Sequence, residues 1–206
     1  MGRTFSEFLF NLIAPVYGLF FERQRRSFRK VIERAEPVLS LASYRSILDV
    51  GCGTGALCSV LGEKGMEVTG IDPAVNMLRV ARSRQENLGI DFVCGDVLSR
   101  LPFDDQSFDV SIASYVAHGM PREDRKRMYR EMSRVTRNIV VIHDYNQRRS
   151  LPISLIEWME RGDYFRFIRQ AESEMKECVS NMQSCFTDVR VIPVDTRAHW
   201  YICSLR

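Results

Sequence analysis

The residues able to do chemistry in this chain gather at the ends of short apolar runs. Ser46-Ile47-Leu48-Asp49-Val50 leads straight into Gly51-Cys52-Gly53-Thr54-Gly55. Glycines at this spacing let the backbone turn sharply and approach a ligand closely, because they carry no Cβ. A helix expected over residues 54–64 would add free backbone N–H groups and the positive end of its dipole, suited to a carboxylate or phosphate. Asp72 ends a second apolar run, 21 positions after Gly51, where an acid can accept hydrogen bonds from ribose hydroxyls. Asp96 ends a third run, Ser114 and Tyr115 follow a fourth, and His143 ends a fifth.

The glycine loop alone fits two kinds of nucleotide ligand. Gly51-Cys52-Gly53-Thr54-Gly55-Ala56 matches the G-x-G-x-x-A form of a dinucleotide fingerprint, and Asp72 stands close to where its acid belongs. Asp49 argues for the other kind. A carboxylate just before the glycines faces a cationic amino group well and a pyrophosphate badly. Imidazole ordinarily titrates near neutrality, so each of His118, His143 and His199 is a candidate to take a proton from a substrate or to serve as a hydrogen-bonded structural residue. Strand-end placement favours His118 and His143 for the substrate pocket over His199.

The elements that position these groups follow from apolar periodicity. Strands are expected over residues 46–50, 67–71, 91–94, 108–113 and 138–142, and helices over 54–64, 74–88 and 122–135. Such alternation means right-handed βαβ units and a mainly parallel sheet with helices on both faces, and ligands bind beyond the carboxyl ends of such strands. In Asp72-Pro73, the acid also fits a helix N-cap with Pro73 at the first helical position. Residues 1–41 read as a helical approach packed on the core, 45–145 as the ligand-binding core, 146–182 as a helical substrate-side insertion, and 183–206 as antiparallel edge strands. The insertion carries Trp158, Tyr164, Phe165 and Phe167, which suit equally an aromatic lid and the packing of a covering helix. No linker separates a second domain in the 206 residues.

Taken together, Asp49-Val50-Gly51-Cys52-Gly53-Thr54-Gly55, Asp72, Gly95-Asp96 and the approach Leu101-Pro102-Phe103-Asp104-Asp105-Gln106-Ser107-Phe108-Asp109-Val110 resemble the class I S-adenosylmethionine-dependent methyltransferases. Within them it is similar to the large group of the ubiquinone and menaquinone methyltransferases, roughly over residues 45 to 143. The resemblance implies a Rossmann-like seven-stranded sheet in the order 3-2-1-4-5-7-6, its seventh strand antiparallel. It implies that Asp49, Gly51 and Gly53, with Cys52 and Gly55 of the same loop, hold the methionine end of S-adenosylmethionine. Asp72 would hold the ribose, Pro73 and Met77 would line the adenine pocket, and Asp96 with Val97 would meet the adenine amine. Ser114 and Tyr115 would lie near the sulfonium, which makes Tyr115 a catalytic candidate beside His143 and His118. One departure stands out: Arg134-Val135-Thr136-Arg137-Asn138 lacks the Gly-Gly turn that many relatives place before the fifth strand.

Composition narrows the remaining classes. A net charge of +3 from 29 basic and 26 acidic residues is too mild to argue for nucleic acid, and the arginines alternate with apolar residues as solvated helix faces do. The six cysteines form no C-x-x-C pair, so no metal site is expected, and they read as reduced core residues of a cytoplasmic protein. The apolar stretch 8–21 is too short and too interrupted to span a bilayer. The expectation is a methyltransferase acting on a small molecule by in-line displacement, as a monomer or homodimer. An NAD(P)-dependent oxidoreductase and a non-catalytic S-adenosylmethionine-binding module are the alternatives.

Overall fold

The structure, a computed structural model, describes residues 2–146 and 186–205, with side chains from residue 8 onward. The chain divides into two compact units, Met1–Asp96 and Val97–Arg206. The aromatic segment around Trp158 to Phe167, with Cys178 and Cys185, lies outside the described residues.

In the first unit the apolar runs become three parallel strands, β1 (Ser46–Val50), β2 (Glu67–Asp72) and β3 (Asp91–Cys94). Ile47, Leu48, Val50 and Ile71 are buried, as expected of a parallel sheet covered on both faces. Each such side chain contributes roughly 1.5–3 kcal/mol of burial. Four helices accompany them: α1 (Gly2–Leu19), α2 (Phe21–Ala35), α3 (Ala56–Gly62) and α4 (Val75–Ser83). The expected N-terminal helix therefore forms, and α1 runs straight through Pro15. Proline supplies no N–H to the carbonyl four residues back, which is that of Asn11. The side-chain amide of Asn76 donates to that carbonyl instead, at 3.0 Å, and Asn11 Oδ1 accepts the backbone N–H of Asn76 at 2.8 Å. One reciprocal pair thus repairs the helix and ties α1 to the start of α4. Below it Ala14, Ala74 and Met77 pack among Phe10, Ile13, Tyr17 and Val80.

Four local expectations are corrected here. The helix expected from Thr54 begins at Ala56, because Gly55 sits in the left-handed region at φ 77° and ends the loop. The helix expected to reach Leu88 stops at Ser83 and is followed by a short 3-10 turn, Gln85–Asn87. The buried Asn87 amide donates to Ala81 O and Thr54 O, which folds the chain back across the last turn of α4. The N-cap of α4 is Ala74, so Asp72 and Pro73 precede the helix rather than open it. Cys94, expected in the core, is exposed, whereas Cys52, Cys58 and Cys203 are buried.

The second unit holds β4 (Phe108–Ser114), α5 (Arg122–Val135), β5 (Thr136–Tyr145), β6 (Asp188–Asp195) and β7 (Ala198–Ser204). β4 and β5 are parallel, and β7 is antiparallel to both β5 and β6. α5 passes into β5 with no residue between them, which accounts for the missing Gly-Gly turn. Arg134 braces the preceding loop through Leu101 O, Phe103 O and the Asp105 carboxylate, and Gln106 N–H donates to Arg134 O. The strand order, β3-β2-β1-β4-β5-β7-β6, is the one the resemblance implied. Among the described residues no helix is long and apolar enough to cross a membrane.

Candidate functional site

In the first unit the loop after β1 is built on one carbonyl. Ile71 O, near the end of β2, accepts the N–H groups of both Gly51 and Cys52, at 2.8 and 3.1 Å. Gly51, Gly53 and Gly55 all adopt positive φ, a region closed to most side chains. Gly55 is fixed twice over, since a Cβ there would lie 2.5 Å from Asn87 Nδ2 and 2.8 Å from the Phe92 ring. Gly70 is fixed by contact alone, 2.8 Å from both Cys52 Sγ and Phe92. At Gly53 a Cβ would meet nothing within 4 Å. The loop therefore presses against protein at Gly55 and opens at Gly53.

Two carboxylates stand by this loop. Asp72 receives the Gly53 N–H on Oδ2 at 2.9 Å and the Ala74 N–H on Oδ1 at 2.8 Å. Burial pushes its pKa up to about 6, against the pull of those two bonds. Asp49 is 1% exposed and accepts the Cys58 thiol on Oδ2 at 3.1 Å. Burial raises its pKa to about 7; the Cys58 bond opposes the rise and the charge of Asp72 adds to it. Burial likewise lifts the Cys52 thiol to about 11, so it stays protonated. Two buried acids, neither bonded to a cationic side chain among the described residues, favour a positively charged ligand and repel a pyrophosphate. The site thus fits an S-adenosylmethionine, whose ammonium and sulfonium are positive, with the space beside Gly53 to receive it.

Other expected contacts are placed as follows. Pro73 and Asp96 are half-buried, Val97 is buried, and Met77 is buried beneath α1, where helix packing accounts for it.

In the second unit the ends of β4 and β5 bring together Ser114, Tyr115, His118 and His143. Tyr115 has φ 58°, a strained setting for a bulky residue, costing on the order of 1–3 kcal/mol. Its N–H donates to His143 O at 2.8 Å, and its ring lies 4.6 Å from that of His143 and 4.9 Å from that of Tyr145. Burial holds its hydroxyl well above the ordinary range. His143 pairs in register with Ser114 and Trp200, and its Nδ1 lies 3.3 Å from Ser114 Oγ. Burial drives its pKa down to about 4, opposed by the charges of Asp144 and Asp195, so it is neutral at pH 7. His118, on a short turn after β4, sets Nδ1 2.8 Å from Asp144 Oδ1, while its backbone N–H donates to Asp144 Oδ2 at 3.1 Å. His199 lies across the ladder from Asp144, its ring 6.2 Å from Tyr201.

Asp144 and Tyr145, which the sequence analysis does not single out, stand beside His143 at the end of β5. The signal was an apolar strand, Ile139 to Ile142, that ends in His-Asp-Tyr rather than in a turn. Gly70 and Asn87, which shape the loop from behind, were likewise passed over.

Residues 47–138 match a family described as a methyltransferase domain. The chain is 24% identical over 187 residues to an uncharacterized methyltransferase of Staphylococcus carnosus, covering 88% of each chain. It is 32% identical over 133 residues to a demethylmenaquinone methyltransferase of Paenarthrobacter aurescens, covering 63% of this chain but only 49% of that one. The chain thus spans about half the length of that quinone relative. Among solved structures, the magnesium protoporphyrin IX methyltransferase of Synechocystis with bound S-adenosylhomocysteine shares the fold, at a TM-score of 0.62 and 13% identity over 88% of this chain and 83% of that one. The family match over residues 47–138 and the strand order together liken this chain to the class I S-adenosylmethionine-dependent methyltransferases.

Proposed function

We propose that the chain transfers the methyl group of S-adenosylmethionine to a small-molecule acceptor by in-line displacement. The observation that carries this reading is the pair of buried carboxylates, Asp49 and Asp72, against a glycine loop open at Gly53. When bound, the cosubstrate supplies a methyl group on a positively charged sulfur that leaves as a neutral thioether. The protein's part is to hold and align. Asp49 meets the ammonium, the loop Gly51-Cys52-Gly53-Thr54-Gly55 brings its backbone up to it on the side that is open at Gly53, and Asp72 accepts from the ribose hydroxyls. Pro73 and Asp96 form the adenine end. Orientation of this kind supplies up to about 7–11 kcal/mol of rate. The buried thiols Cys52, Cys58 and Cys203 support a reducing, cytoplasmic setting.

The test is incubation of the purified chain with methyl-labelled S-adenosylmethionine and a panel of small hydroxyl, amine and thiol compounds. Label transferred to one of them, and lost in Asp72→Ala, supports the reading. Cosubstrate that binds but transfers to none of them, nor to a whole-cell metabolite extract, points instead to a binding module.

A further inference from the structure

We infer that the second unit carries an anion-binding cleft between α5 and the loop that leads into β4, and that its ligand is a small diphosphate. The inference goes beyond the methyl-transfer reading and does not depend on it.

The cleft has a volume of about 340 Å³, within the range of small-ligand sites. One wall is a single stripe of α5, formed by Arg127, Arg130, Glu131 and Arg134 at the spacing of one helix face. The other is the loop that starts at the buried Val97 and carries Arg100. Four guanidinium groups and one carboxylate thus line one recess, all inside the second unit. Like charges one turn apart on a helix repel each other, so the arrangement favours an anion.

These charges are not equally committed. Arg134 is taken up by the protein: it donates to both oxygens of Glu131, to the Asp105 carboxylate, and to Leu101 O and Phe103 O. Glu131 also accepts the Leu101 N–H at 2.7 Å. Burial opposes the ionisation of Glu131, but the bonds from Arg134 and Leu101 hold its pKa below the usual range. Glu131 and Arg134 therefore neutralise one another and brace the wall. The other three arginines keep donors to spare. Arg100 and Arg127 each stand 3.6 Å from one carboxylate oxygen, of Asp105 and Asp124 respectively, too far for a hydrogen bond. Among the described residues Arg130 stands in no ion pair.

The chemistry of the ligand follows from these donors. A guanidinium presents five N–H groups in a planar fork that matches the oxygens of a phosphate. Arg127 and Arg130 are three residues apart, with Cβ atoms about 5–6 Å from each other, so each can grip one of two linked phosphoryl groups. Arg100 meets the same ligand from the loop. The limited volume favours a small molecule over a nucleic acid strand, as does the chain's net charge of only +3.

Calorimetric titration of the full chain with inorganic pyrophosphate tests this. Wild type should bind it at micromolar concentration, at least tenfold more tightly than orthophosphate, and more weakly as salt is raised. Arg127→Gln and Arg130→Gln should each weaken binding several-fold, and the double variant at least tenfold. Both side chains are exposed, so these variants keep the fold. Arg23→Gln, at an exposed arginine of α2, should bind as wild type does. Absence of binding, orthophosphate bound equally well, or binding kept in the double variant would overturn the inference. An equal loss in Arg23→Gln would overturn it in favour of attraction by surface charge at large. Tighter binding of a short single-stranded RNA, lost in the same double variant, would overturn it in favour of a nucleic-acid surface.

Discussion

Asp72 fastens the glycine loop to the end of β2: its Oδ2 accepts the Gly53 N–H at 2.9 Å while Oδ1 accepts the Ala74 N–H at 2.8 Å. Each oxygen keeps a second lone pair, so one carboxylate can fix the loop and still receive ribose hydroxyls. Asp72→Asn keeps the shape but turns half of the acceptor into a donor. Its affinity for S-adenosylhomocysteine should fall about tenfold to a hundredfold, matching roughly 1.5–3 kcal/mol for bonds to a charged group. Calorimetric titration reads this directly.

Asp49 is held ready for a cation at the expense of the empty fold. Its folded pKa of about 7 lies above the ordinary 3.8, so the folded state holds that proton more tightly than the unfolded chain. The contribution to stability is present in full below the ordinary value and is lost as pH rises toward about 7. Asp49→Asn should therefore raise the melting temperature of the ligand-free protein at pH 8, with roughly 4 kcal/mol as the ceiling. The same variant should bind S-adenosylhomocysteine at least tenfold more weakly. Wild-type binding should tighten from pH 6 to pH 8, because the ammonium needs the ionised acid.

His143 titrates the other way. Burial places its folded pKa near 4, below the ordinary 6.5, so stability is lost as pH falls from 6.5 toward 4. His143→Gln should flatten that acid limb in urea unfolding series, removing up to roughly 3 kcal/mol of the slope.

The loop glycines should separate by their surroundings. Gly55→Ala adds a Cβ 2.5 Å from Asn87 Nδ2 at φ 77° and should cost about 2–4 kcal/mol of stability by chemical denaturation. Gly53→Ala adds only the left-handed strain, about 1–2 kcal/mol, since nothing lies within 4 Å. It should nevertheless abolish measurable cofactor binding, because the new methyl group fills the open side of the loop.

The strands and the glycine loop were legible because both are written locally, whereas the strand order came only with the family resemblance. Buried parallel strands show as unbroken apolar runs, and glycines with forced positive φ show by identity and spacing. The end of α4 was not legible, because it is set by the Asn87 side chain reaching Thr54 O, 33 residues away in sequence. The exposure of Cys94 was hidden for a similar reason: β3 is an outer strand of the sheet, and only the strand order reveals that. The His118–Asp144 pair was half visible. His118 follows β4 and Asp144 lies near the end of β5, but 26 positions separate them, and the parallel pairing of β4 with β5 is what brings them together.

The most direct test of the cofactor assignment is calorimetric titration of the wild-type chain and of Asp72→Ala with S-adenosylhomocysteine, and in parallel with NADH. Micromolar binding of S-adenosylhomocysteine by wild type, weakened at least tenfold in Asp72→Ala, with no heat from NADH, is the predicted result. Binding of NADH alone, or of neither compound, would contradict it.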